Sequence, residues 1–199
     1  MPAWSLVLPI KGAIGKSRLD VADAADRREL AVAFALDALD AVLTATSVGR
    51  VVVVTADEEL AAGLPERVEL MADPRHGLNA AIRAGLAVLD PAAPGGVLLA
   101  DLPALRPDEL DAALEMAAQH PLALVPDAAG TGSTLTTALR ADSLVPRFGE
   151  GSRSAHEQSG HVVLAVPETS GLRRDVDSLA DLDIARTLGL GRHTRAVLD

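Results

Sequence analysis

Cysteine is absent from this 199-residue chain, and both lysine and aromatic residues are scarce. The absence of cysteine excludes disulfide bonds, Cys-ligated zinc, iron–sulfur clusters and thiol nucleophiles. No apolar run approaches the roughly 18 residues that a membrane-spanning helix needs. No basic stretch precedes the short apolar segment Leu6–Ile10, as it would in a signal peptide. We therefore expect a cytoplasmic protein without a membrane partner.

The chain is acidic, and its few lysines lie close together. It has 28 acidic and 18 basic residues, a formal net charge of −10, and three aromatic side chains, Trp4, Phe34 and Phe148. Nucleic-acid surfaces usually combine a basic face with stacking rings, so we expect no nucleic-acid partner. Lys11 and Lys16 are the only lysines in the sequence. Their proximity in an acidic chain indicates a small anionic ligand, although an arginine-rich composition could also leave two lysines together by chance.

Short apolar runs alternate with longer helical patterns. The runs predict strands at Ser5–Pro9, Val51–Thr55, Val68–Met71, Gly96–Ala100, Leu122–Pro126, more weakly at Leu135–Leu139, and at His161–Val166. Helical spacing of apolar residues predicts helices at Arg27–Thr46, Leu78–Leu89, Pro107–Gln119 and Ser178–Leu188. The strands are almost continuously apolar, which is typical of strands covered on both faces. Without a linker or a repeat, residues 1–199 are predicted to form a single α/β domain, a mainly parallel sheet flanked by helices.

The loop that follows the first predicted strand, residues 9–19, is the first candidate site, because ligands of such sheets bind beyond the carboxyl ends of the strands. Glycine permits close backbone approach, and several cations suit a polyphosphate. The segment is not a P-loop, since Ile10 stands where that pattern needs its first glycine. The loop is either a phosphate-binding loop, which its lysines favour, or an ordinary solvated turn. Its candidate residues are Lys11, Gly12, Lys16 and Arg18.

Three aspartates are candidate metal ligands. Asp101 directly follows a predicted buried strand, where a hard cation binds between protein and phosphate oxygens; a turn aspartate is the alternative. In an extended segment 171–177, Asp175 and Asp177 would point the same way, because strand side chains repeat every two residues. Asp175 could then complete a metal site with Asp101. Asp177 is either a further ligand or, with Ser178, a candidate cap of the last predicted helix.

Two further segments, Gly130–Thr134 and Arg147–His156, are rich in glycine and hydroxyl groups. The second could begin a short helix at Ser152, whose free N–H groups would hold a carboxylate or a phosphate. Glycine turns with a serine N-cap are the ordinary alternative, of comparable weight. Hydrolase and zinc chemistry fit poorly, because the chain has no G-x-S-x-G and no H-E-x-x-H, and His156 and His161 lie five positions apart without such a partner.

Six motifs occur in order across nearly the whole chain, and together they resemble the 2-phospho-L-lactate/phosphoenolpyruvate guanylyltransferase family of coenzyme F420 biosynthesis. The motifs are K-x4-K-S-R-L at 11–19, G-L-N-A-A-I at 77–82, D-L-P at 101–103, G-T-G-S at 130–133, R-F-G-x-G-S at 147–152 and G-L-R-R-D-V-D at 171–177. The resemblance implies a single Rossmann-like nucleotidyltransferase domain, in agreement with the pattern of strands and helices. It also implies that GTP is joined to phosphoenolpyruvate or 2-phospho-L-lactate, with release of diphosphate.

The resemblance also implies roles for individual residues. Mg²⁺ would be held by Asp101 and Asp175, and charge on the GTP phosphates would be stabilised by Lys11, Lys16 and Arg18. The nucleotide would be bound by Lys11, Gly12, Lys16, Gly77, Leu78 and Asn79. The acid substrate would be bound by Ser133 or Thr134, Gly149 and Ser152. The family often has threonine where Ser133 stands, so the register of that contact stays open between Ser133 and Thr134.

Other interpretations remain at this point. A related nucleotidyltransferase acting on a molybdopterin or a sugar phosphate usually begins L-A-G-G after strand one, whereas this chain has Leu8-Pro9-Ile10-Lys11. A nucleotide-binding regulator without catalysis would have less need of both Asp101 and Asp175. The alanine-, arginine- and leucine-rich composition favours phosphoenolpyruvate over 2-phospho-L-lactate. The sequence leaves a homo-oligomer open, and the resemblance implies that the product passes to the next enzyme of the F420 pathway.

Overall fold

The computed structural model of the chain describes residues 3–10 and 24–199. Within these ranges, seven strands form one sheet in the order β3-β2-β1-β4-β6-β5-β7. The strands are β1 Trp4–Ile10, β2 Val48–Thr55, β3 Glu69–Ala72, β4 Gly95–Leu98, β5 Leu122–Pro126, β6 Ser133–Ala138 and β7 Val162–Val163. The helices are α1 Ala24–Thr44, α2 Glu58–Ala62, α3 Leu78–Leu86, α4 Pro107–Ala117, α5 Ser152–Gln158, α6 Leu179–Leu188 and α7 Arg192–Leu198.

The sheet is parallel except at β6, which runs antiparallel to both of its neighbours, β4 and β5. The predicted mainly parallel α/β fold is therefore confirmed, and the reversed strand β6 makes the sheet a mixed one. Because β6 is reversed, its first residues begin at the edge where β4 and β5 end: Leu98 pairs with Leu135, and Leu99 N donates to Thr134 O. Ser133 and Thr134 consequently lie at the carboxyl edge, although they start a strand.

Helices cover both faces of the sheet because the central strands are apolar on both sides. Leu6 and Leu8 of β1 pack with α1 and α4, and Val7, which points the opposite way, packs with Ile82 of α3. Both sets of side chains are buried. The buried carboxylate of Asp37 on α1 accepts from the His193 and Thr194 amides and so fixes the beginning of α7.

Several element boundaries differ from the prediction. The strand predicted at His161–Val166 is reduced to Val162–Val163, because only these two residues pair with β5 at the edge of the sheet. Helices α2 and α7 were not predicted. A 3-10 turn occupies Gly171–Arg173, the first part of the segment predicted as extended, and residues 174–176 follow it without helix or strand. The alignment of Asp175 with Asp177 stays a prediction. None of the described helices is both long and apolar enough to cross a bilayer.

Candidate active site

The carboxyl edge of the sheet gathers most of the sequence candidates that the structure describes. A continuous series of hydrogen bonds runs along this edge. It links the beginning of α3 to the 147–149 segment, that segment to α5 and β6, β6 to the 171–173 turn, and the residues after this turn to Asp101. Lys11, Gly12, Lys16 and Arg18 follow β1 in the chain but lie outside the described residues.

Asp101 and Asp175 are brought together by a backbone contact. Val176 N donates to Asp101 O at 3.0 Å, which joins the segment after β4 to the segment after the 3-10 turn. Burial, together with the neighbouring carboxylates of Asp101, Asp127 and Asp177, raises the pKa of Asp175 to about 7. Asp101 Oδ1 is also buried. The structure therefore concentrates negative charge at a partly desolvated point on this edge.

These carboxylates fit a divalent cation only if the substrate helps to bind it. Among the described residues, no group of three or more histidine, aspartate or glutamate side chains is arranged to hold a metal ion. Mg²⁺ commonly keeps several waters and is held by one or two carboxylates together with substrate phosphates. The pair Asp101 and Asp175 suits that pattern, because a nearby cation favours the ionised form of a carboxyl whose pKa is raised by burial and by like charges.

The raised pKa of Asp175 predicts that the stability difference between the wild type and an Asp175→Asn variant varies with pH. Its ordinary value is 3.8, so between that value and about 7 the folded state binds more protons than the unfolded state. Stability from this group therefore falls as pH rises through that range. In a chelating buffer at pH 8, Asp175→Asn should have a higher Tm than the wild type, and the difference should narrow towards pH 4.5.

The measurement is a thermal melt of both proteins across pH, with and without Mg²⁺. Added Mg²⁺ should raise the Tm of the wild type more than that of Asp175→Asn. A variant that melts below the wild type at pH 8 in chelator would contradict both the burial of this charge and its repulsion by neighbouring carboxylates.

Asp127 shapes the glycine-rich turn between β5 and β6. Its carboxylate accepts from the amides of Thr131 and Gly132 at 2.9 and 2.8 Å. A Cβ on Gly132 would lie 3.1 Å from Asp127 Cγ and closer still to its Oδ2, so this turn needs glycine at that position. Residues 127–132 therefore form a hairpin turn closed by Asp127, and the turn delivers Ser133, the first residue of β6, to the edge of the sheet.

Asn79 ties the beginning of α3 to the 147–149 segment. Its amide nitrogen donates to Phe148 O and its amide oxygen accepts from Phe148 N, each at 2.9 Å. Gly77, the N-cap of α3, is exposed, with open space where a Cβ would lie, and Leu78 is partly exposed. Both polar groups of Asn79 are thus used inside the protein, and the surface left for a ligand at this point is that of Gly77 and Leu78.

Ser133, Ser152 and His156 form a buried polar cluster. Ser152 Oγ accepts from Ser133 N at 3.0 Å, and Ser133 Oγ lies 3.1 Å from His156 Nδ1. Thr134 points to the opposite face of the strand and donates its hydroxyl to Leu172 O at 2.7 Å. The Thr134 hydroxyl hydrogen is therefore already used, whereas the Ser152 hydroxyl acts only as an acceptor towards the described residues. The role of the Ser133 hydroxyl depends on the tautomer of His156.

A short helix, α5, begins at Ser152 as the sequence suggested, and the alternative of a serine N-cap is wrong. Gly151, in the left-handed region at φ +68°, is the N-cap of α5, and Ser152 is the first helical residue. The Ser152 hydroxyl is therefore directed to Ser133 rather than to its own helix. Gly149 is exposed and has φ +129°.

The helix that begins after the aspartate segment is capped by Ser178, which forms a reciprocal capping box with Asp181. Asp177 is thus not the cap of this helix. Its charge contributes to the raised pKa of Asp175.

Asp127 and His156 are site residues whose roles sequence reasoning missed. Asp127 precedes a glycine-rich turn, which is the typical position of an aspartate that accepts from the turn's amides. His156 is four positions after Ser152, so the two share one face of α5, and both are buried. That spacing was the available signal, but it became meaningful only once β6 was placed against α5.

Comparison with known proteins places the chain among nucleotide-transferring enzymes. The model of the MobA-like NTP transferase domain matches residues 30–188. The phosphoenolpyruvate guanylyltransferase of Streptomyces scabiei is 47% identical over 97% of this chain and 94% of its own length. That of Streptomyces coelicolor is 45% identical over 98% and 95%.

Solved structures share the fold at low sequence identity. A proposed nucleotide-diphospho-sugar transferase from Desulfovibrio desulfuricans has a TM-score of 0.75 at 19% identity, covering 100% of this chain and 94% of that protein. Rv0371c of Mycobacterium tuberculosis, solved in complex with manganese, has a TM-score of 0.58 at 19% identity, with 94% and 97% coverage.

Proposed function

The chain belongs to the MobA-like NTP transferases and, among them, to the phosphoenolpyruvate guanylyltransferases, and from this premise we propose that its carboxyl-edge site joins GTP to phosphoenolpyruvate. In this reaction a phosphate oxygen of phosphoenolpyruvate attacks the α-phosphorus of GTP. The bond from that phosphorus to the bridging oxygen breaks, and diphosphate leaves. Such chemistry depends on in-line positioning and on charge stabilisation more than on proton transfer.

The observation that carries this proposal is the half-buried carboxylate pair Asp101 and Asp175 on the same edge of the sheet as the buried hydroxyl groups of Ser133 and Ser152. A nucleotidyl transfer between two anions needs both, since the reacting phosphates repel each other and must be held by opposite charge and by hydrogen-bond donors. We propose that Asp101 and Asp175 hold Mg²⁺, which when bound would neutralise charge on the phosphates. Gly77 and Leu78 would lie against the nucleoside. Asn79 would hold the beginning of α3 against residues 147–149.

The acid substrate would lie against Ser133, Gly149 and Ser152. Between Ser133 and Thr134, the hydrogen-bond pattern favours Ser133, because the Thr134 hydroxyl already donates to Leu172 O. Lys11, Gly12, Lys16 and Arg18 would bind the GTP phosphates, on the strength of the sequence motif alone. A role in the coenzyme F420 pathway, action in the cytoplasm, self-association and transfer of the product to the next enzyme stay predictions.

The test pairs each nucleoside triphosphate with each acid and measures diphosphate release. We expect turnover with GTP and phosphoenolpyruvate in the presence of Mg²⁺, and loss of turnover with EDTA. Because the product of this family is labile, the reaction should be coupled to the enzyme that consumes it. Turnover with 2-phospho-L-lactate instead would change the acid but keep the chemistry. Turnover only with CTP or ATP and a pterin or sugar phosphate would refute the assignment.

A further inference from the structure

His156 is buried to 1% exposure in the hydroxyl-rich part of the edge, and both of its ring nitrogens are engaged. Nε2 receives a hydrogen bond from Arg147 N at 3.2 Å, and Nδ1 lies 3.1 Å from Ser133 Oγ. A backbone amide can only donate, so Nε2 must carry the lone pair. A neutral imidazole then carries its hydrogen on Nδ1, which donates to Ser133 Oγ.

The ring is held in its neutral form by its surroundings. Burial, together with the nearby His161 and the Arg147 guanidinium, lowers the pKa of His156 to about 4. The ring of Phe148 packs edge-on against it, with the centroids 5.0 Å apart. At neutral pH the tautomer is therefore set by the Arg147 amide, and the direction of the hydrogen bond to Ser133 follows from it.

This direction has a consequence for the Ser133 hydroxyl. Because its oxygen accepts from His156, its own hydrogen is left to donate elsewhere, and no acceptor for it occurs among the residues that the structure describes. The Ser152 hydroxyl, which accepts from Ser133 N, is in the same situation. Two hydroxyl donors, one at the beginning of β6 and one at the beginning of α5, are thus held side by side.

We propose that His156 is a positioning residue for the acid substrate: it fixes Ser133 as a hydrogen-bond donor to an anionic oxygen of that substrate and fixes the backbone that leads to Gly149. The second part follows from the Arg147 amide bound by His156 and the Phe148 amide and carbonyl bound by Asn79. Together these contacts hold the two residues before Gly149. The inference rests on the proposed function of this edge as the acid site.

Two substitutions separate the two contacts of the ring. His156→Gln keeps an acceptor near the position of Nε2 but has no donor near Nδ1, so the bond to Ser133 is lost. His156→Asn keeps a donor near Nδ1 but cannot reach the Arg147 amide. We expect His156→Gln to raise the KM for phosphoenolpyruvate roughly tenfold, because the hydrogen bond from the Ser133 hydroxyl to an anionic oxygen of this substrate is weakened. The KM for GTP should stay within about twofold of the wild type, because GTP does not use this bond. His156→Asn should raise the KM for phosphoenolpyruvate by a smaller factor, about threefold, because it keeps the donor to Ser133 and loses only the contact with the Arg147 amide.

A double-mutant cycle with Ser133→Ala distinguishes positioning from general packing. If His156 acts through Ser133, the double variant Ser133→Ala/His156→Gln should have a KM for phosphoenolpyruvate no higher than the worse single variant. His161→Gln is the matched control, since His161 is also buried and contacts His156 O but not Ser133. It should lower the Tm and leave both KM values unchanged.

The wild-type protein supplies a measurement that needs no variant to fold. A long-range ¹H–¹⁵N spectrum at pH 7.5 should show His156 as the neutral tautomer with its hydrogen on Nδ1. The Nε2–H tautomer, an unchanged KM for phosphoenolpyruvate in folded His156→Gln, or additive effects in the cycle would each overturn the inference. If the wild type itself released no diphosphate with any nucleotide and acid, the proposed function would fail and the inference with it. Normal wild-type turnover with unaffected variants would remove the inference alone.

Discussion

Asp101→Asn should reduce kcat for diphosphate release from GTP and phosphoenolpyruvate by roughly a thousandfold, since loss of a charged metal ligand costs several kcal/mol of transition-state stabilisation and about 1.4 kcal/mol is tenfold. Asparagine keeps the shape of the side chain, and the backbone bond between Asp101 O and Val176 N is unaffected by the change. The substitution also removes one of the charges that raise the pKa of Asp175. We therefore expect a folded protein with a Tm at or above that of the wild type.

The measurement is steady-state kinetics over a range of Mg²⁺ concentrations, together with a thermal melt. Asp111→Asn is the matched control, because the Asp111 carboxylate accepts from the amides of Thr46 and Ser47 at the opposite edge of the sheet. It should lower the Tm and leave kcat unchanged. A folded Asp101→Asn enzyme that kept a tenth or more of the wild-type kcat would show that Asp101 is a turn residue and not a metal ligand.

Gly171→Ala should destabilise the protein by about 3 kcal/mol and lower kcat at the same time. A Cβ at this position would overlap the carbonyl of Ala104 and lie 2.9 Å from Leu105 N. These are backbone atoms, so a rotamer change cannot relieve the overlap. Gly171 N also donates to Glu109 Oε1 on α4 at 3.1 Å. The added methyl group should therefore separate the turn that leads to Asp175 from the segment that follows Asp101.

At this chain length, a loss of about 3 kcal/mol corresponds to a decrease in Tm of roughly 6–12 °C. Gly63→Ala is a suitable control, because Gly63 has φ −92° and a Cβ there would meet nothing closer than 3.6 Å. Its Tm should stay within about 2 °C of the wild type. If Gly171→Ala had the same Tm as the wild type, the close approach of Gly171 to the backbone of Ala104 and Leu105 would not exist in solution.

The parts of the fold that could be predicted are those decided by local composition. Val51–Val54 and Leu122–Pro126 are almost wholly apolar, because they are covered on both faces, and the structure has strands at both. The reversal of β6 could not be predicted, because S-T-L-T-T-A fits a parallel or an antiparallel neighbour equally well. The shortening of β7 depends on how far its partner β5 extends, which the sequence of residues 161–166 does not contain.

The candidate site likewise combines residues that the local sequence identifies with residues that only long-range packing brings into place. Asp101 was found because an aspartate directly after an apolar strand lies at the carboxyl edge whatever the rest of the fold. The contact of His156 with Ser133 depends on packing between α5 and β6. The effect of the Asp127 charge on the pKa of Asp175 depends on the 3-10 turn at Gly171–Arg173, where Arg173 donates to Asp127 O. Such long-range contacts leave no periodicity in the sequence. Because side chains alternate along a strand, Ser133 and Thr134 lie on opposite faces of β6, and the structure shows that Ser133 faces His156 whereas Thr134 faces Leu172.

The backbone bond between Asp101 and Val176 also bears on the order in which the protein is made. Synthesis proceeds from the amino terminus, so β1 to β4 can leave the ribosome while the partner of Asp101 is not yet translated. The loop closed by this bond contains β5, β6, β7 and the turn at Gly171–Arg173, and closing it has an entropic cost that those elements must offset. The two carboxylates therefore meet only after β5, β6, β7 and this turn have been synthesised, and the nascent chain carries no assembled carboxylate pair while most of its sheet is forming.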